Sequence, residues 1–97
     1  MIIVHDTFVC KPGQAGKSAK LFKEMMGGNK NVLNILTDIT GQYHRVIMVS
    51  KYDDLAAYGK ALEAYMNPTE DMKKAMAKMK DFQEMYLGGS REIFKVW

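Results

Sequence analysis

The strands that this sequence predicts are apolar on both faces, and this feature restricts the possible folds more than any other. In residues 2–10, Ile3 and Val9 lie on one face of the predicted strand, and Val4 and Phe8 lie on the other. The predicted strand over residues 43–52 repeats this pattern. A sheet with one face in water alternates apolar and polar residues instead. Both faces of this sheet therefore need a protein covering.

Turn and capping residues divide the chain into seven elements in the order β-α-β-β-α-α-β, within one predicted domain that spans residues 1–97. Asp53 is the predicted N-cap of the second helix. The order predicts the α+β class and a ferredoxin-like βαββααβ fold with a four-stranded antiparallel sheet. Right-handed crossovers place the first strand between the third and the fourth. The predicted strands span residues 2–10, 31–39, 43–52 and 91–97, and the predicted helices span residues 14–26, 54–66 and 68–87.

The second apolar face of the sheet predicts a partner. The helices of the chain can cover one face, and a chain of 97 residues has no further element for the other. An apolar face left in water would promote aggregation. The sequence therefore predicts a homodimer in which two copies of the chain pack sheet against sheet.

Three short segments carry a resemblance to a known family. They are a Lys-Pro-Gly turn at residues 11–13, a hairpin with Thr-Gly-Gln-Tyr-His-Arg at residues 40–49, and a Lys-Tyr-Asp-Asp-Leu-Ala helix start at residues 51–56. Together they resemble the NIPSNAP-like branch of the dimeric α+β barrel superfamily, which includes antibiotic biosynthesis monooxygenase-like proteins. The resemblance implies a dimer whose two sheets enclose a barrel. It implies no particular chemistry, because NIPSNAP-like domains have no well-defined general activity.

Composition and charge argue against several classes of partner. The net charge of +3 comes from 12 Lys and 2 Arg scattered along the chain, which does not indicate nucleic-acid binding. No apolar run approaches the roughly 20 residues that span a bilayer, so no membrane partner is predicted. The single cysteine, Cys10, excludes an intramolecular disulfide and a cysteine-based zinc site. Because the first residues do not have the pattern of a signal peptide, we expect a cytoplasmic protein.

Two histidines are the candidate catalytic bases, His5 and His44. Tyr43 and Arg45 flank His44, and either side chain is a candidate donor to a developing oxyanion. Pairing of the first and third strands predicts that His5 and His44 share a face about 13 Å apart, too far to bind one metal ion. The sequence therefore predicts neither a metal nor a cofactor.

A ligand pocket is predicted around Asp38, Met48, Tyr58 and Trp97, with Asp38 across the hairpin turn from His44. The nine methionines allow three interpretations: core packing, a soft-metal site, or a malleable pocket for a flat apolar ligand. Met66, Met72, Met76 and Met79 fall on the apolar faces of the predicted helices, which favours packing for most of them.

Three functional hypotheses follow. The first is binding of a small hydrophobic or aromatic molecule in a cavity between sheet and helices, or a purely structural role. The second is a cofactor-independent monooxygenase or isomerase that acts on an aromatic or polyketide-like substrate with a histidine base. The third is a haem-binding relative in which one histidine is the axial ligand.

Overall fold

The structure, a computed structural model, describes residues 1–77 and 80–97. The strands are β1 (Ile2–Cys10), β2 (Val32–Thr37), β3 (Arg45–Tyr52) and β4 (Tyr86–Lys95), and the helices are α1 (Ala15–Met26), α2 (Leu55–Met66), α3 (Glu70–Ala77) and α4 (Lys80–Met85). The strands form one antiparallel sheet in the order β2-β3-β1-β4. The predicted ferredoxin-like α+β fold, with the first strand between the third and the fourth, is confirmed.

The C-terminal boundaries differ from the prediction. The single helix predicted over residues 68–87 corresponds to the two helices α3 and α4, which begin later and end earlier than predicted, and Met79 between them lies outside the described residues. The predicted final strand over residues 91–97 begins earlier, at Tyr86. The strand begins there because Tyr86, Gly88 and Gly89 already pair with β1. At Gly89 the two strands come so close that a Cβ atom would overlap the backbone carbonyl of Thr7. Gly89 therefore permits strand pairing and is not a helix C-cap.

The sequence predicts Asp53 as the N-cap of α2, but in the structure the N-cap is Asp54. One carboxylate oxygen of Asp54 accepts a hydrogen bond from the backbone N–H of Ala57 at 2.8 Å. Thr69 acts in the same way before α3, where its hydroxyl accepts from the N–H of Met72 at 3.2 Å. Each side chain satisfies one of the backbone donors that a helix start leaves without a partner.

Two apolar clusters attach the helices to one face of the sheet. In the first, the rings of Phe8, Phe22 and Phe82 join β1, α1 and α4, with centroid distances of 4.7–5.3 Å. In the second, the rings of Tyr52 and Tyr58 lie 5.0 Å apart and join β3 to α2. Burial of these rings supplies the main hydrophobic stabilisation of the fold.

The other face of the sheet carries alternate residues of the same strands, among them Ile3, His5 and Ile47. Phe94 of β4 lies on this face, remains 44% exposed and packs edge-on against the ring of His5. In the single chain this face is therefore open, and it mixes apolar residues with polar ones such as Thr7, Arg45 and Glu92. Within residues 1–77 and 80–97, no helix has the length and hydropathy needed to cross a membrane.

Candidate functional site

A cleft of about 330 Å³ lies between the helices and the end of β3. We call it the methionine cleft. Its volume and its mostly apolar lining are typical of sites for small ligands. The lining residues are Met25, Met26 and Asn29 at the end of α1, Asn31 and Tyr52 at the sheet, Ala61, Ala64 and Tyr65 on α2, and Met72 and Met76 on α3.

Four of the methionines that the structure describes line this cleft. Met72 and Met76 are one helical turn apart on α3, so they lie on the same face of that helix. Met25 and Met26 complete the lining from the last turn of α1. Methionine side chains are unbranched, flexible and polarisable, so the lining can adjust to ligands of different outline. This arrangement is the one that the pocket interpretation of the methionines requires.

Few polar groups border the cleft, and most of them bind one another. The side-chain oxygen of Asn29 accepts from the backbone N–H of Asn31 at 2.9 Å. The amide nitrogen of Asn29 lies 3.5 Å from the hydroxyl oxygen of Tyr65, which in turn lies 3.8 Å from the sulfur of Met26. These contacts fix the polar rim of the cleft and leave its interior to thioether and aromatic carbon atoms.

A polar cluster beside the cleft was not predicted from the sequence. Asp6 of β1 is buried, and its carboxylate accepts a hydrogen bond from Nε of the half-exposed Arg91 in β4. This hydrogen bond raises the pKa of Arg91 above its usual value. The guanidinium carbon lies 5.7 Å from the ring centroid of Tyr58, within cation–π range. Tyr52 connects the cluster to the cleft, because its ring contacts Tyr58 and also lines the cleft.

The hydroxyl of Tyr58 is buried and has no hydrogen-bond partner in the described part of the chain. Burial raises the pKa of Tyr58 above 10.0, although the charge of Arg91 acts in the opposite direction. Well below pH 10.0 the phenol is neutral in both the folded and the unfolded state. The pKa of Tyr58 is higher in the folded state than in the unfolded state. As the pH rises through the folded pKa, the unfolded state has therefore already lost its proton, and the stability contributed by the neutral phenol is lost.

We therefore expect Tyr58→Phe to be neutral or to raise the free energy of unfolding by up to about 1 kcal/mol near neutral pH, since no hydrogen bond is removed. The variant should also lose less stability than the unmodified protein above pH 10.0. Urea unfolding on both sides of that pH measures both effects. Tyr43→Phe is the control, because Tyr43 is 83% exposed. A clear loss of stability in Tyr58→Phe at neutral pH would show that the hydroxyl has a partner.

The two predicted catalytic bases lie far apart. His5 is on the open face of the sheet, against Phe94. His44 precedes β3 in a left-handed conformation, with φ of 62°, and its carbonyl oxygen accepts from the N–H of Cys10 at 2.7 Å. Cys10 lies five residue steps along β1 from His5, which corresponds to roughly 17 Å along the strand. The structure therefore does not bring the two histidines into one site.

The predicted residues near His44 do lie together at the β2–β3 hairpin. The rings of Tyr43 and His44 are 5.8 Å apart. Nε of Arg45 lies 3.0 and 3.2 Å from the two carboxylate oxygens of Asp38, so this guanidinium is already paired. Asp38, Tyr43 and His44 also line a separate cleft of about 460 Å³ at the hairpin. None of these four residues lines the methionine cleft.

The remaining predicted pocket residues occupy two different places. Met48 lies directly opposite Asp6 on the helix-facing side of the sheet, close to the cluster that contains Tyr58. Trp97 lies beyond the end of β4 and is fully exposed, with the ammonium group of Lys95 4.5 Å from its ring centroid.

Comparison with known proteins relates the fold to two groups. No protein-family model and no curated protein matches the sequence. Among solved structures, a NIPSNAP domain protein from Burkholderia xenovorans has a TM-score of 0.82 at 12% identity, over 100% of this chain and 95% of that one. A NIPSNAP family protein of unknown function from Agrobacterium tumefaciens has a TM-score of 0.82 at 10% identity, with 99% and 87% covered. A candidate antibiotic biosynthesis monooxygenase from Deinococcus radiodurans has a TM-score of 0.60 at 16% identity, with 100% and 93% covered.

These neighbours agree with the two groups named from the short sequence segments. The similarity extends over almost the whole chain, so it concerns the complete arrangement of sheet and helices. At 10–16% identity it is a similarity of fold, and the resemblance predicted from the sequence is confirmed at that level. Fold alone does not determine activity.

Proposed function

We propose that this small α+β protein binds a small apolar or aromatic molecule in the methionine cleft, and that it does so as a homodimer. The observation that carries the proposal is the cleft itself: about 330 Å³, lined by four methionines, with polar groups only at its rim. An apolar cleft with a few polar groups is the usual form of a small-molecule site. The neutral and flexible lining favours recognition by shape and apolar contact.

Filling the cleft with a bulky side chain should abolish binding. Ala64 lines the cleft from α2 and is exposed, so Ala64→Trp places an indole ring in it without burying a new group in the core. The probe is N-phenyl-1-naphthylamine, a neutral aromatic dye whose fluorescence rises in apolar surroundings. We expect the unmodified protein to raise the fluorescence saturably, and Ala64→Trp to weaken binding at least about tenfold, equivalent to about 1.4 kcal/mol.

Ala56→Trp is the matched control, because Ala56 is an exposed residue of the same helix that does not line the cleft. This variant should bind the dye as the unmodified protein does. Equal binding by all three proteins would place the dye elsewhere and contradict the proposal. No binding by the unmodified protein would contradict it as well.

The open face of the sheet supports the dimer. It carries large apolar side chains, including Leu36 and Phe94, which remain 43% and 44% exposed. Packing this face against a second copy would bury apolar area on both chains at once, which is the main driving force in homodimer interfaces. A second copy of the chain can cover this face, so no other protein is required.

A charge introduced on this face should separate the copies. We expect sedimentation velocity to give twice 11.0 kDa for the unmodified protein and 11.0 kDa for Phe94→Glu, because each interface would bury two carboxylates. Leu55→Glu is the control, since Leu55 is also an exposed apolar residue, 63% exposed, but lies on α2. A monomeric unmodified protein, or a Phe94→Glu protein that stays dimeric, would contradict this interface.

The alternative of a cofactor-independent monooxygenase or isomerase gains support from the similarity to the candidate monooxygenase from D. radiodurans. It requires a substrate at the hairpin cleft, because His44 lies there and neither histidine lines the methionine cleft. The haem-binding hypothesis and the cytoplasmic location stay predictions.

A further inference from the structure

We propose that the methionine cleft is also a binding site for copper(I), which would be held by the thioether sulfur atoms of its methionines. The metal site goes beyond the proposed function and does not depend on it, because a metal ion binds sulfur atoms whereas an apolar molecule fills the cleft by shape. The proposal rests on the four thioethers that the fold collects in one cleft.

The four thioethers come from two helices that are distant in the sequence. Met25 and Met26 end α1, and Met72 and Met76 lie one turn apart on α3. The sulfur atom of Met26 lies 3.8 Å from the hydroxyl oxygen of Tyr65, and both residues line the cleft. Because a methionine side chain has three rotatable bonds, sulfur atoms around a cleft of about 330 Å³ can turn toward one ion.

Core packing does not account for these four side chains. Each of them is at least partly exposed, and Met76 is 46% exposed. The described residues that form the two buried apolar clusters of the fold do not include them. An ion from the solvent can therefore reach the cleft in the folded protein.

The chemistry of the lining selects the ion. Thioethers are soft, neutral donors, and soft sulfur ligands favour copper(I). Among the described residues that line the cleft, none is Asp, Glu, Cys or His, so the cleft lacks the carboxylates of calcium and magnesium sites and the thiolates and imidazoles of zinc sites. None of these lining residues is Lys or Arg, so none carries a formal charge that repels a cation.

The test is a competition for copper(I) between the protein and bicinchoninate, a coloured chelator, with ascorbate under nitrogen. We expect the unmodified protein to withdraw copper(I) from the chelator, and an excess of zinc(II) should not prevent this. Met72→Leu/Met76→Leu replaces two thioethers by apolar side chains of similar volume. It should weaken copper(I) binding at least about tenfold, since loss of even a supporting residue costs a metal site that much.

Met48→Leu/Met66→Leu is the matched control, because neither residue lines the cleft, and it should bind copper(I) as the unmodified protein does. Nuclear magnetic resonance of methionine methyl groups labelled with carbon-13 then locates the ion. Copper(I) should shift the methyl signals of the four methionines that line the cleft. The signals of Met48, Met66 and Met85, which lie elsewhere, should stay in place.

Three results would overturn the copper(I) site. They are failure of the unmodified protein to withdraw copper(I), equal binding by the two double variants, and loss of binding in Cys10→Ala with no shift of the methionine methyl signals, which would place the ion at the thiol. The two proposals for the cleft can fail separately. Met72→Leu/Met76→Leu keeps an apolar lining and should bind N-phenyl-1-naphthylamine as the unmodified protein does, so the dye reports on the proposed function and copper(I) on the metal site.

Discussion

Replacing Gly89 with alanine should lower the free energy of unfolding by about 3 kcal/mol, the upper end of the usual cost of overpacking. Gly89 pairs with Phe8 in the central strand, and an added Cβ atom would overlap the carbonyl group of Thr7. Because the atoms that it meets belong to the backbone, relief requires β1 and β4 to move apart. Thermal unfolding followed by circular dichroism should show a melting temperature lower by about 12–24 °C for a domain of this size.

Gly88 provides a matched control in the same strand. A Cβ atom at this neighbouring position would have no atom within 4 Å. We expect Gly88→Ala to change the melting temperature by no more than about 4 °C, as most substitutions away from close contacts do. If the two alanine variants are equally stable, β1 and β4 lie too far apart at Gly89 for a Cβ atom to meet the carbonyl group of Thr7.

Replacing Arg91 with glutamine should cost about 3 kcal/mol, measured by urea unfolding near neutral pH. The loss arises at Asp6, whose side chain is 8% exposed and which would keep a buried charge without its cation. Arg91 itself contributes little to this loss, because its side chain is 51% exposed and is already partly hydrated. Removal of the exposed partner, Arg91, therefore costs stability because the carboxylate of Asp6 that remains is buried.

A second substitution tests that explanation. Asp6→Asn added to Arg91→Gln should recover about 2 kcal/mol, because the uncompensated charge is removed and two neutral amides remain. Lys73→Gln is the control for loss of an exposed pair. It breaks the 3.6 Å contact with Glu70 and should change stability by less than about 0.5 kcal/mol. Failure of the double variant to recover would mean that Asp6 is not held by Arg91.

The sheet could be predicted from the sequence because its determinants are local. The apolar runs locate the strands, and the handedness of the crossovers then orders them. The start of the last strand could not be predicted in this way. Residues 86–89 continue the apolar spacing of the preceding helix and end in two glycines, which indicate a helix end. Pairing with β1 overrides these local preferences, and such pairing depends on residues almost a chain length away.

The candidate site could be predicted only in part, because helix spacing is local in the sequence whereas other contacts of the site join distant residues. The spacing of Met72 and Met76 places them on one helix face, but only the tertiary structure brings Met25 and Met26 opposite them. Asp6 and Arg91 are 85 residues apart, and strand register alone aligns them. The sequence signal for this pair was Asp6, an acidic residue at a helix-facing position of the apolar strand β1.

The position of β1 also sets the order in which the chain can fold during synthesis. Its two neighbours are β3, which follows about halfway along the chain, and β4, which follows the other described elements. Until residue 95 has emerged, one edge of β1 has unpaired backbone groups and the apolar cluster around Phe82 is incomplete. Completion of the sheet therefore waits for β4, and a chain stalled before residue 86 would expose the apolar central strand to chaperones or to other nascent chains.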